Sequence, residues 1–288
     1  MVGIFDKFYK IPAPIKEGLR QYNQRIMAKS LQDAGKYQDI HDLFLRLSQI
    51  VPDIRFQYSN FVVDSPYLET KVRYQHAFQI SLVQLAINCL GLNKCQEFTV
   101  VDIGDSAGSH ILYLKELYPQ IRALSVNLDA AAVKRIKNKG LEAIHARAED
   151  INDYNIKADI FLSFEMLEHL MDPIHFLKSI ADNTECKALV VTIPYVKNSR
   201  VGLSHIAYNR LDKINAEGVH IFELSPHDWR LIFQHSGWSI INDEIYLQYP
   251  RRGMMRCTKM LWRHLDYEGF YGAILERNDK WSSCYIDW

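Results

Sequence analysis

The sequence predicts an α/β fold in which a parallel sheet carries helices on both faces and ends in a pair of antiparallel edge strands. From Phe98 onward, short apolar runs alternate with segments whose apolar residues have helical spacing, a rhythm typical of parallel βαβ units. Glycine or proline follows several of these segments, where an element is expected to end. Near the end of the chain, Ser239–Tyr246 and Phe270–Glu276 are two further apolar runs, which we expect at the sheet edge.

The first ninety or so residues are predicted to be mostly helical. Helical spacing covers Ile15–Lys29, Asp39–Ile50 and Lys71–Leu90. The third of these segments is too rich in apolar residues for a surface helix. We therefore expect residues 1–95 to form a helical extension or lid, followed by one domain over residues 96–288.

The elements of this domain follow one another at regular intervals. The predicted strands are Phe98–Ile103, Arg122–Leu128, Leu141–His145, Ala158–Ser163 and Ala188–Ile193. The predicted helices are Ser109–Leu117, Ala130–Lys139, a segment after Ser163, and Ser225–His235. Ser225 followed by Pro226 is a typical helix start. Residues 249–268, rich in arginine and aromatic residues, are expected to form an insertion.

Composition excludes several classes of protein. The chain has 288 residues, of which 48% are hydrophobic and 24% charged, as in an ordinary globular protein. Its 34 basic and 34 acidic residues cancel, so no overall field favours nucleic acid or an anionic membrane. No segment is apolar enough to span a bilayer, and residues 1–10 lack the apolar core of a signal peptide. Five scattered cysteines indicate reduced thiols, and we expect a cytoplasmic protein.

The run Val100–Gly108 is the most informative stretch of the chain. Its apolar part ends in Asp102, Ile103 and Gly104, which predicts a buried strand that stops at a sharp turn before a helix. Glycine lets the backbone approach a ligand closely, and the first N–H groups of a helix are donors to an anion. The run therefore predicts a nucleotide-type binding turn.

Four further segments occur in a recognisable order. They are Ser125–Asp129, Ala146–Ile151, Ala158–Pro173 and His220–Pro226. Together with the glycine turn, they resemble the class I S-adenosylmethionine (SAM)-dependent methyltransferases over roughly Phe98–Glu276. The resemblance implies a Rossmann-like sheet, SAM as cofactor and methyl transfer as the reaction.

The resemblance also implies which residues surround the cofactor. They are Asp102, Gly104, Asp105, Ser106, Gly108, Asn127, Leu128, Ala148, Glu149, Phe164 and Glu165. Two of them depart from the family pattern: Ser106 replaces a glycine, and Asn127 replaces the acid that usually holds the ribose hydroxyls. Asp129 is a candidate substitute for that acid. If neither grips the ribose, Asn127 is a simple turn residue.

A metal site is predicted after the fourth strand. Glu165, Glu168 and His169 lie at positions i, i+3 and i+4 and so share one side of a helix, with His220 downstream as a fourth ligand. Carboxylates and imidazoles suit Mg²⁺ or Mn²⁺. This Glu-x-x-Glu-His pattern resembles that of small-RNA 3′-terminal 2′-O-methyltransferases and certain quinone-pathway O-methyltransferases. The alternative is a metal-free site in which His169 or His220, beside Glu168, is the catalytic base.

Other histidines and the N-terminal helix supply weaker candidates. His76, Tyr74 and Arg73 are expected to close over the cofactor, by analogy with lid helices of the family. The remaining histidines considered are expected at the surface or in packing; they are His110, His145, His175, His227 and His235.

The leading functional hypothesis is O-methylation of a small hydroxylated acceptor, such as a sugar, a glycan end or a natural product. An alternative is 2′-O-methylation of an RNA end, for which a basic stripe with two aromatic residues is available: Arg251, Arg252, Arg256, Lys259, Arg263, Trp262 and Tyr267. Because the net charge is zero, nucleic acid is the less favoured partner. A third alternative is a SAM-fold protein without catalysis, acting as an interaction partner. The sequence does not indicate an oligomeric state.

Overall fold

The computed structural model describes residues 13–59, 61–92, 97–215, 218–249, 254–264 and 268–286. Its strands are β1 (Thr99–Ile103), β2 (Arg122–Asn127), β3 (Glu142–His145), β4 (Ile160–Phe164), β5 (Ala188–Pro194), β6 (Arg200–Val201), β7 (Phe222–Glu223), β8 (Trp238–Leu247) and β9 (Gly269–Arg277). Its α-helices are α1 (Ala13–Tyr37), α2 (His41–Ile50), α3 (Pro66–Cys89), α4 (Ser109–Leu117), α5 (Ala130–Asn138), α6 (Pro173–Asn183), α7 (Ser204–Ala207), α8 (Pro226–His235) and α9 (Lys259–His264). Short 3-10 turns cover Ile151–Tyr154, Leu167–His169, Met254–Thr258 and Ser282–Cys284.

Seven of the described strands form one sheet in the order β3-β2-β1-β4-β5-β9-β8. The first five strands in this order run parallel, and β9 is antiparallel to both of its neighbours. The C-terminal pair of strands therefore extends the sheet at its edge. This confirms the predicted Rossmann-like architecture of the class I methyltransferases.

Alternate residues of the strands face two separate cores. Val100 of β1 belongs to a buried cluster that includes residues of α2, α3 and α4. Its neighbour Val101 belongs to a second cluster, which includes Phe176 of α6 and Trp229 of α8. Because successive side chains of a strand point to opposite faces, the sheet carries helices on both sides.

Helix α3 is an integral part of the first core. A Cβ added at Gly272 of β9 would lie 2.2 Å from Cδ1 of Leu82 and 3.0 Å from Cζ of Phe78, both on α3. The helix therefore packs directly against the backbone of this strand. Residues on either side of the predicted boundary at residue 95 share one apolar cluster. The N-terminal helices thus cover a face of the sheet. Within the described residues, no helix is long and apolar enough to cross a bilayer.

The structure departs from the predicted elements where tertiary contacts decide. Ser65 accepts a hydrogen bond from the N–H of Leu68 at 3.3 Å, so α3 begins five residues before the predicted start at Lys71. Between β5 and α8, β6 and β7 form a small antiparallel pair that the periodicity did not indicate. After β4, the chain forms the 3-10 turn Leu167–His169, and the predicted helix follows as α6, which begins at Pro173.

Candidate active site

A cavity of about 350 Å³ opens at the carboxyl ends of β1, β2 and β4. Ligands in open parallel sheets bind at this edge. Ten of the predicted cofactor residues line it: Asp102, Gly104, Asp105, Ser106, Asn127, Leu128, Ala148, Glu149, Phe164 and Glu165. Gly108 is not among the lining residues. Its φ of +75° and the 2.7 Å between an added Cβ and Cδ1 of Leu141 show that it is required for packing.

The side chain of Asp105 organises the glycine turn from within. One carboxylate oxygen accepts hydrogen bonds from the N–H groups of Ala107 (3.1 Å) and Gly108 (2.7 Å). The other oxygen accepts from the hydroxyl of Ser125 on β2 at 2.8 Å. Asp105 is 2% exposed, so these three bonds compensate its burial. The N–H groups of Ala107 and Gly108 are therefore bonded within the protein and are not available to a ligand.

The side chain of Asn127 also supports the turn. Its amide group donates to the carbonyl of Asp105 at 2.9 Å and to that of Gly104 at 3.3 Å. Its oxygen accepts from the N–H of Asp129 at 2.6 Å. Asn127 thus does more than form a turn, although it still borders the cavity. Asp129, the candidate substitute, caps α5 through Ala131 and accepts from the hydroxyl of Ser59.

Five residues before β1 that the sequence analysis did not single out line the cavity. Gln57, Tyr58 and Phe61 come from the loop between α2 and α3, and Gln75 and Gln79 come from α3. Their distance in sequence from the glycine turn is the reason they were missed. The rings of Tyr58 and Phe61 stack at 4.6 Å, so the loop presents an aromatic pair.

The three lid candidates of α3 point elsewhere. Arg73 donates to the carbonyls of Val51 (2.8 Å) and Pro52 (2.6 Å). Tyr74 bonds to His41 and His76 to Tyr113, and none of the three lines the cavity. The expectation that they close over the cofactor was therefore wrong. The helix turns Gln75 and Gln79 toward the cavity instead.

His110 lies inside this site. Its Nδ1 is 2.9 Å from Oδ2 of Asp102, and its Nε2 is 3.0 Å from Oε1 of Gln79. Burial and the charge of Asp105 raise the pKa of Asp102 to about 6. Burial lowers the pKa of His110, but the charge and hydrogen bond of Asp102 outweigh it and the net shift is upward. His110 is a buried cavity residue, and its position in the first turn of α4 was the available signal.

A second group of polar side chains lies beside the cavity. Glu168, His169 and His220 each place one potential ligand atom within 4.8 Å of the others. Glu168 is 1% exposed, and within the described structure neither of its carboxylate oxygens has a hydrogen-bond partner. Oε1 of Glu168 lies 3.8 Å from Nε2 of His169. Three of the four predicted metal ligands therefore come together.

Hydrogen bonds determine the tautomers of both histidines in their neutral forms. Nδ1 of His169 lies 2.8 Å from the carbonyl oxygen of Val219, which can only accept, so Nδ1 carries the proton. Nδ1 of His220 lies 3.3 Å from Oε1 of Glu223, a carboxylate whose pKa is lowered by His220 and Arg200. In each ring Nε2 is then the nitrogen that can accept a proton or bind a metal.

Glu165 does not join this group of ligand atoms. Its φ of +50° is outside the helical range, so the helical spacing that predicted a shared face does not apply. The assignment of Glu165 as a fourth metal ligand is thus not supported by the geometry. Burial raises its pKa to about 7, against the effect of the Thr192 hydroxyl, which donates to its carboxylate.

The pKa of Glu168 is raised further, well above its ordinary value. Burial is the main cause, and the carboxylates of Glu165 and Glu223 add to it. A buried carboxyl group without partners stays protonated unless a cation joins it. Glu168 is therefore suited to hold either a proton or a metal ion.

The basic stripe considered for RNA falls mostly outside the described residues. Arg251, Arg252 and Tyr267 lie outside them, and so do the side chains of Arg256, Trp262 and Arg263. The described member, Lys259, places its Nζ 4.5 Å from the ring centre of Tyr249.

Comparison with known proteins adds family information to this geometry. Residues 101–185 match the model of a methyltransferase domain. No relative of the sequence is found among curated proteins. The matched segment contains the glycine turn, β2 to β4 and the Glu168–His169 pair.

Solved structures with the same fold are distant in sequence. A candidate sarcosine dimethylglycine methyltransferase from Galdieria sulphuraria has a TM-score of 0.53 and 14% identity, covering 75% of this chain and 88% of its own. The 4+2 cyclase SpnF has a TM-score of 0.52 and 12% identity, with 86% and 97% covered. The 1,6-didemethyltoxoflavin-N1-methyltransferase of Burkholderia thailandensis has a TM-score of 0.50 and 11% identity, with 85% and 90% covered.

These structures show the fold, and one of them is a cyclase, so the fold alone does not determine the reaction. The domain match covers residues 101–185. Together with the sheet order and the glycine turn at its carboxyl edge, it supports a methyltransferase domain of the class I fold in this part of the chain.

Proposed function

We propose that this protein is an O-methyltransferase for a small hydroxylated acceptor, such as a sugar, a glycan end or a natural product. We propose further that Glu168, His169 and His220 hold a divalent metal, Mg²⁺ or Mn²⁺. The observation that carries both proposals is the buried Glu168 carboxylate beside the cavity. Its oxygens have no hydrogen-bond partner among the described residues, and it lies near two histidines.

The residues around the cavity fit the cofactor. Gly104, with a φ of +98°, leaves the backbone of the turn exposed to a ligand. Asp102 offers a polar group at the end of β1, and Ala148 and Glu149 offer a surface beside the adenine. When bound, SAM supplies an electrophilic methyl group on a sulfonium. The chain then has to align an acceptor oxygen behind that methyl group and exclude water.

The chemistry of the donor set also fits a hard divalent cation. A carboxylate and imidazoles occur together as ligands of Mn²⁺ and similar ions, whereas Mg²⁺ relies more on oxygen ligands such as Glu168 and water. A cation would satisfy both oxygens of Glu168, whose burial otherwise costs free energy without compensation. When bound, such a metal supplies a Lewis acid beside the acceptor hydroxyl.

The proton of the acceptor hydroxyl must leave as the new C–O bond forms and the S–C bond breaks. Nε2 of His169 or of His220 is suited to receive it in a metal-free site, because each Nδ1 already donates its proton. The clustering of hydroxyl-binding and proton-accepting groups beside the cavity is what favours oxygen as the methylated atom.

The metal proposal is tested by Mn²⁺ binding to wild type and to variants. We expect wild type to bind Mn²⁺ with one equivalent, measured by electron paramagnetic resonance, and Glu168→Gln and His220→Asn to lose at least tenfold in affinity. His227→Asn, at the exposed start of α8, is the matched control and should bind as wild type does. Equal affinity in all four proteins would refute the assignment.

The reaction is tested with labelled SAM and a panel of acceptors bearing hydroxyl, amine or thiol groups. Label transfer to hydroxylated acceptors, lost in Glu168→Gln and retained in His227→Asn, is the expected result. Transfer to amines alone would overturn O-methylation and leave the family assignment intact.

A further inference from the structure

A buried chain of hydrogen bonds connects the glycine turn to the N-terminal helix α3. It runs from Asp102 on β1 to His110 on α4, then to Gln79 on α3 and to Thr192 on β5. All four residues are at most 7% exposed. Gln79, Asp102 and His110 line the cavity. This chain of hydrogen bonds therefore joins β1, α4, α3 and β5 at the floor of the cavity.

The direction of each hydrogen bond follows from its neighbour. Nε2 of Gln79 donates to the Thr192 hydroxyl at 3.1 Å. This turns Oε1 of Gln79 toward His110, so Nε2 of His110 carries a proton. Nδ1 of His110 donates to Oδ2 of Asp102 when the imidazole carries a proton on both nitrogens, the form that the raised pKa of His110 favours.

The two carboxylates at the glycine turn thus have different partners. Both oxygens of Asp105 are bonded within the protein, to Ala107, Gly108 and Ser125. Oδ2 of Asp102 is held by a single imidazole nitrogen at 2.9 Å. This contact with His110 fixes the rotamer of the Asp102 side chain at the cavity wall.

We propose that His110 and Gln79 are positioning residues that hold the Asp102 carboxylate against the ammonium group of the cofactor. This inference rests on the proposed function, in which SAM occupies the cavity. The ammonium is the cation at the amino-acid end of SAM, the end that lies at a glycine turn in this arrangement, and a fixed carboxylate is its natural partner. Gln79 keeps a proton on Nε2 of His110, and His110 in turn fixes the orientation of the Asp102 carboxylate.

The test compares two nucleosides by calorimetry: S-adenosylhomocysteine and 5′-methylthioadenosine, which lacks the amino-acid end. Asp102→Asn should weaken S-adenosylhomocysteine by tenfold or more, because a hydrogen bond to a charged group is lost. Binding of 5′-methylthioadenosine should stay within about twofold of wild type. A variant that merely loosens the fold would weaken both nucleosides together, which would overturn the proposal.

Two substitutions of His110 separate its nitrogens. His110→Asn keeps an amide nitrogen near the position of Nδ1 and should retain S-adenosylhomocysteine affinity within about threefold. His110→Gln extends past that position and should lose about tenfold. Equal effects of the two substitutions would show that the contact with Asp102 is not decisive.

Substitutions on α3 test the part of the hydrogen-bond chain that lies farthest from Asp102. Gln79→Leu should weaken S-adenosylhomocysteine about fivefold and leave 5′-methylthioadenosine unchanged. Gln84→Leu, on the same helix but bonded to Tyr118, is the matched control and should alter neither. If Gln79→Leu resembles the control, the role of Gln79 is refuted.

The wild type distinguishes this inference from the proposed function. If it binds neither nucleoside, the cofactor assignment fails, and the positioning role fails with it. If it binds both but the variants leave S-adenosylhomocysteine unchanged, only the positioning role fails.

Discussion

The glycine turn and the Glu168 group differ in how their buried polar atoms are satisfied. At the turn, Asp105 and Asn127 bond to the backbone and to Ser125, and the shape of the turn is complete without a ligand. Beside it, Glu168 is equally buried but its carboxylate oxygens have no hydrogen-bond partner within the described residues. The glycine turn is therefore preorganised, whereas the Glu168 group requires a bound cation or a proton to offset the burial of its carboxylate.

The largest effect on stability is expected for a substitution in the glycine turn, the preorganised half of the site. Asp105→Ala removes three hydrogen bonds and leaves the N–H groups of Ala107 and Gly108 unpaired, so the free energy of unfolding should fall by about 3–4 kcal/mol. Urea denaturation measures this change. Asp53→Ala removes a comparable bond to the N–H of Arg55 in an exposed loop and should cost under about 1 kcal/mol. Equal losses would mean that burial does not distinguish the two aspartates.

Restoring the usual acid at position 127 should weaken the turn. Asn127→Asp replaces a donor by an acceptor that faces the carbonyls of Gly104 and Asp105, so we expect a loss of about 2–3 kcal/mol in stability. S-adenosylhomocysteine affinity, measured by calorimetry, should fall rather than rise. Asn183→Asp at the exposed end of α6 should change neither quantity. Tighter binding by Asn127→Asp would show that the side chain is free to hold the ribose.

The pair of Asp102 and His110 should make stability depend on pH. Both groups have raised pKa values in the folded protein, and that of Asp102 is about 6. The native state therefore binds more protons than the unfolded state, so stability falls as pH rises from about 4 to 8. Relative to Asp102→Asn, wild type should lose on the order of 2 kcal/mol across this range.

Denaturation of the two proteins at several pH values checks this slope. Other groups near the pair are Asp105 and His76, with Arg73 beyond His76. The pKa of His76 is lowered by burial and by the charges of His110 and Arg73, so its slope is opposite. Because His76 is present in both proteins, its contribution largely cancels. A flat difference would contradict the raised pKa values.

The smallest effect is expected for Glu168→Gln in buffer that contains a metal chelator. The sign of this effect distinguishes the Glu168 group from the glycine turn. Glu168→Gln removes a carboxyl group that has no hydrogen-bond partner among the described residues, so stability at pH 8 should rise by about 1 kcal/mol, not fall. Added Mn²⁺ should then stabilise wild type and leave the variant unchanged. Thermal denaturation with and without Mn²⁺ measures both effects. Glu116→Gln, exposed on α4, should be neutral in each condition.

Much of the fold could be predicted because strands and helices carry periodic signals along the chain. The strand Arg122–Leu128 is predicted within one residue of β2, and the Ser225 cap and Pro226 mark the start of α8. The 3-10 turn after β4 could not be predicted in this way. There, the positive φ of Glu165 interrupts a segment whose spacing is typical of a helix.

The site was predicted in part. Residues at strand ends, such as Asp102 and Asn127, were found because the carboxyl ends of parallel strands meet at one edge. Gln79 and His110 were not assigned to the site, although they lie side by side at its floor. They are 31 residues apart, and no local pattern relates a glutamine of an N-terminal helix to a histidine of α4.

The sequence by itself determined the alternation of the main strands and helices along the chain, the position of the glycine turn and the family it resembles. These features follow from apolar periodicity and from residues adjacent in the chain. Only the tertiary structure decided that Asp105 and Asn127 are satisfied, that Glu168 is not, and that Gln79 reaches His110. A hydrogen bond requires two atoms within about 3 Å, and distant elements meet at that distance only after the sheet and its helices have packed.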